Sequence, residues 1–167
     1  MIRACRESDI PAILTLVNAA AEAYRGIIPP DRWKEPYMPD HELADEIAAG
    51  VNFQIFEELD ALKGVMGVQE VKDVTLIRHA YVDPEAQAQG IGGALLADCR
   101  GLARGPLLIG TWAAADWAIR FYEKHGFQQT STAEKELLLR TYWTIPERQV
   151  ETSVVLAEER WFEANPA

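Results

Sequence analysis

One stretch, Val82 to Arg104 (VDPEAQAQGIGGALLADCRGLAR), holds residues whose types and spacing could do chemistry. An apolar strand ending passes Asp83-Pro84 and reaches the run Gln87-Ala88-Gln89-Gly90-Ile91-Gly92-Gly93. An amphipathic helix follows, with Ile91, Leu95, Cys99 and Leu102 spaced to share one face. A strand, a glycine-rich turn and a helix N-terminus make a place for phosphate. First-turn N–H groups have no intrahelical acceptors, and the helix dipole favours negative charge there. Each exposed dipole contribution is only ~0.3–1 kcal/mol, so several N–H groups must act together. Gly90, Gly92 and Gly93 put no Cβ in the way of a phosphate approaching the backbone.

The run is not a P-loop, because no lysine lies between Val82 and Arg104. It is a poor dinucleotide fingerprint, because Leu95 stands where close helix–strand packing wants Gly or Ala. It does match Gln/Arg-x-x-Gly-x-Gly/Ala, as Gln87-Ala88-Gln89-Gly90-Ile91-Gly92. This resembles the acyl-CoA pyrophosphate loop of the GNAT superfamily of N-acetyltransferases. A second stretch, Ala118 to Phe127 (AIRFYEKHGF), reads as a short helix closed by Gly126 as a left-handed cap, with Phe127 turning back into the core. It is similar to the GNAT pattern A-x-x-F/L-Y-x-x-x-G-F. The order of loop, helix, strand and helix is also that of the family, and the resemblance extends over nearly the whole chain.

The resemblance implies transfer of an acetyl group from acetyl-CoA, the co-substrate, to a primary amine by direct attack in a ternary complex. The amine must be neutral to attack. For a lysine-like amine of pKa ~10.4 that costs about 4.6 kcal/mol at pH 7. The thioester oxygen needs donors as it gains charge. The family supplies a backbone N–H at the end of the fourth strand, here Val82. The departing thiolate benefits from a proton, which the family takes from the tyrosine of the second motif, here Tyr122. Tyr81, Val82, Gln87, Ala88, Gln89, Gly90, Ile91, Gly92 and Gly93 are the expected cofactor-binding residues. Arg120 and Lys124 could also meet the CoA phosphates. His79 is the leading candidate for the base, since a histidine ordinarily titrates near ~6.5, with Glu70 behind it and water as an alternative. Cys99 faces an apolar stripe, which argues against a covalent acyl-cysteine route. One departure stands out. Where the family often carries asparagine, this chain has Ala115, so contacts there would fall to the backbone, Thr111 or Asp116. The same departure motivates a rival reading, a non-catalytic acyl-CoA sensor. A protein N-terminal or lysine acetyltransferase is the other alternative.

The rest of the chain must position these residues. With 167 residues, 49% of them hydrophobic, one domain over 1–167 is expected. The net charge of −10 argues against a nucleic-acid partner and would attract cationic small molecules or basic peptides. No apolar run is long enough to span a membrane. The acidic, weakly apolar start MIRACRESDIPAIL is unlike a signal peptide, and a cytoplasmic location is expected. Cys5 and Cys99 form no zinc spacing, and no histidine pattern suggests a metal. Strands are expected at Ile2–Cys5, Val51–Glu57, Val65–Val71, Val74–Val82, Leu107–Trp112, Leu137–Trp143 and Thr152–Ala157. Helices are expected from Ile10 to about Tyr24 (capped by Ser8), after Asp40 as N-cap, after the glycine loop, and from Trp117 to His125. The runs of strands and helices suggest an α+β layer structure, and the resemblance implies the GNAT type: a mixed, mostly antiparallel sheet of about seven strands flanked by four helices. Between the first two helices, Tyr24, Trp33 and Tyr37 lie on an aromatic-rich connection that reads as a wall of the acceptor pocket. The edges of the closing strands from Leu137 to Ala157 suggest a homodimer.

Overall fold

The computed structural model describes residues 1–167. Its strands are β1 Ile2–Ala4, β2 Asn52–Glu58, β3 Ala61–Val71, β4 Val74–Val82, β5 Leu107–Trp112, β6 Phe127–Gln129 and β7 Ser153–Glu158. They form one seven-stranded sheet in the order β1-β2-β3-β4-β5-β7-β6. Every neighbouring pair is antiparallel except β4 and β5. The expected turn near Asp60 is a tight hairpin, with Leu59 and Asp60 both at positive φ (51° and 61°).

Seven α-helices flank the sheet rather than four: α1 Ile10–Ala20, α2 Asp40–Ala48, α3 Ile91–Leu102, α4 Asp116–Lys124, α5 Thr132–Tyr142, α6 Glu147–Glu151 and α7 Glu159–Ala164. The strand expected at Leu137–Trp143 is the second half of α5. Its start carries a signal that the expectation overlooked. Ser131 accepts from the Glu134 N–H, and the Glu134 carboxylate accepts from the Ser131 N–H, which is a reciprocal capping box. Leu138 and Leu139 are both buried while Leu137 is exposed, which fits a helix face and not strand alternation. With that strand gone, the edge proposed there for pairing between copies is gone too. The sheet edge on this side is the three-residue β6.

Smaller expectations also shift. Ser8 does not cap α1. Instead Glu7–Asp9 form a 3-10 turn in which the Asp9 carboxylate accepts from the Arg6 N–H at 2.7 Å. Asp40 is the first residue of α2, and Pro39 takes the cap position. Gly50, just past α2, and Gly126, just past α4, take the positive φ expected of helix stops (99° and 88°). Leu102, placed on the apolar face of α3, sits in its last turn and is half exposed.

Alternation along the strands divides the core. In β3 Val65 and Met66 join different clusters, as do Leu76 and Ile77 in β4 and Leu108 and Ile109 in β5. On one face of the sheet, Ile91, Leu95, Leu96 and Cys99 of α3 and Tyr122 of α4 pack on Met66, Ile77 and Ile109. Burying one such leucine contributes about 1.5–3 kcal/mol. On the other face, α1 and α2 cover β2 and β3, while α5, α6 and α7 cover β5 and β7. These two groups of helices leave the β4–β5 boundary between them.

At the start of the chain, Arg3 donates to Asp9 at 2.8 Å and to Glu57 at 3.1 Å. The hydrogen bond from Arg3 holds the Asp9 carboxyl down at about 2. A carboxyl with a depressed folded-state pKa stabilises the fold above its ordinary value and loses that contribution as pH falls from about 4 towards 2. The Asp9→Asn variant is expected to lose less stability than the parent across that window. Denaturant melts at pH 4.5 and pH 2.5 would check this.

Candidate functional site

The sheet opens in its middle. β4 and β5 pair over Thr75–Ile77 and Leu107–Ile109 and no further. Beyond Ile77, β4 stays with β3. Beyond Ile109, β5 stays with β7, through Trp112. The divergence begins at an irregularity in the β3–β4 ladder. Gly67 pairs with Arg78 and Val65 with Tyr81, so Met66 alone spans His79 and Ala80. This is a bulge, with His79 at its centre and a φ of +53°. Such a conformation costs a non-glycine residue about 1–2 kcal/mol.

The bulge turns two adjacent side chains to the same face. Arg78 Nη2 and His79 Nε2 both meet Glu46 Oε2 of α2, at 2.8 and 2.9 Å. Arg78 also donates to Gln69 at 2.8 Å. Burial works against ionisation of Glu46, yet the hydrogen bond from His79 and the charge of Arg78 outweigh it and hold the carboxyl below its usual range.

A cavity of about 530 Å³ fills the opening. That is a usual size for a small-molecule site. From the face of α3 and α4 it is lined by Gln87, Gly92, Leu95, Phe121 and Tyr122. From the opposite face the lining includes Tyr24, Tyr37, Tyr81, Trp112 and Trp143. The Val82 N–H points into the opening. The next amide, Asp83, donates across to Lys63 on the β3 side at 2.9 Å, and successive amides of a strand point to opposite sides. Asp83 also anchors the following turn by accepting from Glu85 N–H at 3.0 Å and Lys63 Nζ at 2.9 Å.

Tyr122 is 6% exposed and lines the cavity. Its ring packs edge-on to Phe121 and Phe127, with centroids 5.1 and 5.9 Å away. Burial pushes its hydroxyl well above the ordinary tyrosine range, so the group stays protonated at neutral pH. The ring carbons belong to the core, while the position of the side chain puts it on the wall of the opening.

The glycine loop enters α3 through two left-handed residues, Ala88 (φ +63°) and Gly90 (φ +81°). Gly90 is the N-cap and provides no side-chain cap, so the first amides of α3 are left to whatever lies beyond them. The three glycines serve different ends. A Cβ on Gly90 would meet nothing within 4 Å, so conformation is the constraint there. A Cβ on Gly92 would press on the Phe121 ring at 3.3 Å, and one on Gly93 would meet His125 Nε2 at 2.9 Å. Those two let α3 and α4 approach each other. Of the loop residues, Gln87 and Gly92 reach the cavity wall. Ala88, Gln89, Gly90 and Gly93 do not line it, and the Ile91 side chain is buried in the core beneath α3.

Other sequence candidates fall on or off this site. Tyr24 and Tyr37 stack 6.1 Å apart and line the cavity. Trp33 is one layer behind, 5.5 Å from Tyr37, beneath the Arg25 guanidinium at 4.5 Å. Glu70 lies at the far end of β3. Its carboxylate accepts from the Thr75 hydroxyl at 2.9 Å and from Arg104 N–H at 3.2 Å, so it braces the closed end of the opening and cannot serve as the base. Cys99 is buried in the core, where burial pushes its thiol up to about 12. Ala115 is fully buried and closes the turn into α4 by donating to Trp112 O at 3.0 Å. Arg120 and Lys124 are exposed on α4. Sequence reasoning missed Trp112, Trp117 and Trp143. Trp112 and Trp117 both closely precede the second motif, and that proximity was the available signal.

Residues 49–129 match the family model described as an acetyltransferase (GNAT) domain. Over these residues the chain carries the features of a GNAT acetyltransferase domain. The matched span runs from the start of β2 to the end of β6 and so takes in the opening, the glycine loop and Tyr122. Solved structures agree on the GNAT fold. PaiA N-acetyltransferase from Thermoplasma acidophilum, in complex with coenzyme A, superposes with a TM-score of 0.71 at 16% identity, covering 95% of this chain and 97% of that one. The ribosomal-protein-S18-alanine N-acetyltransferase from Escherichia coli gives 0.65 at 18%, over 95% and 92%. N-acetylglutamate synthase from Neisseria gonorrhoeae, complexed with coenzyme A and N-acetyl-glutamate, gives 0.64 at 24%, over 95% of this chain and 34% of that one. No curated protein matches the sequence.

Proposed function

We propose that this protein transfers an acetyl group from acetyl-CoA to a primary amine by direct attack in a ternary complex. The observation that carries the reading is the opening between β4 and β5. It joins the α3 N-terminus on one face of the sheet to an aromatic pocket on the other, with Tyr122 on its wall. Two ligands entering from opposite faces would meet there without a covalent enzyme intermediate.

Each step then has a group in the chain. The first amides of α3, with Gln87 beside them, hold the pyrophosphate of the co-substrate, and Arg120 and Lys124 reach its outer phosphates. The free edge of β4 from Arg78 to Val82 hydrogen-bonds the pantetheine arm. The Val82 N–H faces the thioester oxygen as negative charge develops on it. The amine nitrogen bonds the acetyl carbon, the carbon–sulfur bond breaks, and Tyr122 gives its proton to the departing sulfur. His79 takes the proton released by the amine. Glu46 occupies Nε2 of that histidine, so Nδ1 is the acceptor. The carboxylate orients the ring, as an acid partner does for a catalytic histidine. With Ala115 buried, Thr111 on the cavity wall is the nearest replacement for the family's asparagine.

Steady-state thiol release, with acetyl-CoA and amine both varied, tests this reading. Intersecting double-reciprocal lines are expected. Parallel lines, the mark of a covalent intermediate, would overturn direct transfer, and acetyl-CoA binding with no amine-dependent release would favour the sensor reading.

A further inference from the structure

The net charge of −10 predicts attraction for polycations, but the cavity contradicts it. No aspartate, glutamate or lysine lines its wall. Its two basic side chains, Arg78 and His79, are both engaged by Glu46 from behind. The hydroxyls of Tyr24, Tyr81 and Tyr122 stay neutral, since burial pushes all three above the ordinary tyrosine range. The remaining polar groups on the acceptor side, Ser153 and Gln149, are uncharged.

The walls are rings set at varied angles. Tyr24 stacks on Tyr37 at 6.1 Å, meets Tyr81 edge-on at 6.5 Å and leans on Trp117 at 5.4 Å. Trp112 Nε1 donates to the Tyr37 hydroxyl at 3.4 Å. These contacts tie the 3-10 turn after α1 (Ala21–Tyr24), the aromatic connection, β4, β5 and α4 into one surface. The contact between Tyr24 and Trp117 crosses from the α1 side to α4 and so narrows the acceptor side.

We infer that the acceptor is a small monoamine carried on an aromatic or apolar body, and not a polyamine or an aminoglycoside. This inference rests on the acetyl-transfer reading above. The physical reason is desolvation. Each further ammonium group brought into this cavity would lose its water with no carboxylate to meet it. An aromatic body gains from the rings by edge-to-face and stacked contacts. The same apolar surroundings favour the neutral form of the single amine, which is the form that attacks.

The test compares phenethylamine and tryptamine with spermidine and kanamycin by thiol release from acetyl-CoA. In parallel, calorimetry measures phenethylamine binding to the protein saturated with CoA. At least a tenfold higher kcat/KM for the two aromatic amines supports the inference, and a higher value for spermidine or kanamycin overturns it. If phenethylamine binds but no amine releases thiol, the pocket assignment stands and the transfer reading fails. If phenethylamine does not bind to the CoA-saturated protein, the pocket assignment fails. The Tyr37→Glu variant is expected to lose at least tenfold in phenethylamine kcat/KM and to gain for spermidine. An equal loss for phenethylamine and spermidine in Tyr37→Glu would show that the charge of the pocket does not set selectivity, and would overturn the inference.

Discussion

Replacing Tyr122 by phenylalanine is expected to lower kcat by about 100-fold, within the range for loss of a general acid, while acetyl-CoA affinity changes less than threefold. The substitution removes one oxygen and keeps the ring, which packs on Phe121 and Phe127. The fold therefore has little reason to respond, and an unchanged melting temperature is part of the expectation. The effect should depend on the leaving group. A thiolate of lower pKa needs less help, so an acetyl thioester of an electron-poor aryl thiol should show a smaller loss than acetyl-CoA. Raising the hydroxyl pKa by burial makes Tyr122 a weak acid in isolation, but the same dry surroundings also raise the proton affinity of the departing sulfur. If the variant turns over like the parent, the proton comes from elsewhere and the ring is only a wall.

The second large effect is expected at Gly90. With φ at +81° and open space where a Cβ would lie, the residue is chosen for backbone shape. Gly90→Val puts a β-branched side chain into a left-handed conformation at a cost above the ~1–2 kcal/mol typical of unbranched residues. The chain can relieve that only by unwinding the first turn of α3, which disperses the amides assigned to the pyrophosphate. A rise of at least tenfold in acetyl-CoA Kd is expected, read by calorimetry, with kcat at saturation changed much less. Gly90→Asn, which tolerates the same conformation, should keep most of the affinity. Equal losses in the two variants would place a phosphate directly over the Gly90 Cα.

Both predictions concern features that the sequence carried openly. The loop and the AIRFYEKHGF stretch are local patterns, and local patterns survive in one dimension. The partnership of Glu46 with His79 did not, because it depends on a bulge that turns Arg78 and His79 to the same face. A bulge comes from the mismatch of two strands and leaves no mark in either one alone. Glu70 illustrates the reverse. As an acidic residue on the third strand it stood behind His79 as a candidate base, yet it reaches only Thr75 and Arg104. The leucines from 137 to 139 were misread because apolar runs suit strands and helices alike, and the deciding capping box lay six residues upstream. The pocket rings were partly legible, but Trp112 and Trp143 come from elements that meet only once β7 is inserted beside β5.

That insertion has a mechanical result. Three residues on each of β4 and β5 are the only rungs joining the half of the sheet built on β1 to β4 with the half built on β5 to β7. Around those rungs the chain gathers several polar cross-links. Thr75 donates to Glu70 and accepts from Gly105 N–H, and Glu158 accepts from Leu107 N–H. The molecule is thus a clothes-peg, stiff at a polar spring and spread at its aromatic jaws. A small rotation at the spring would become a larger change of width at the jaws, and Glu70, bonded to Thr75 and Arg104, sits at the spring end.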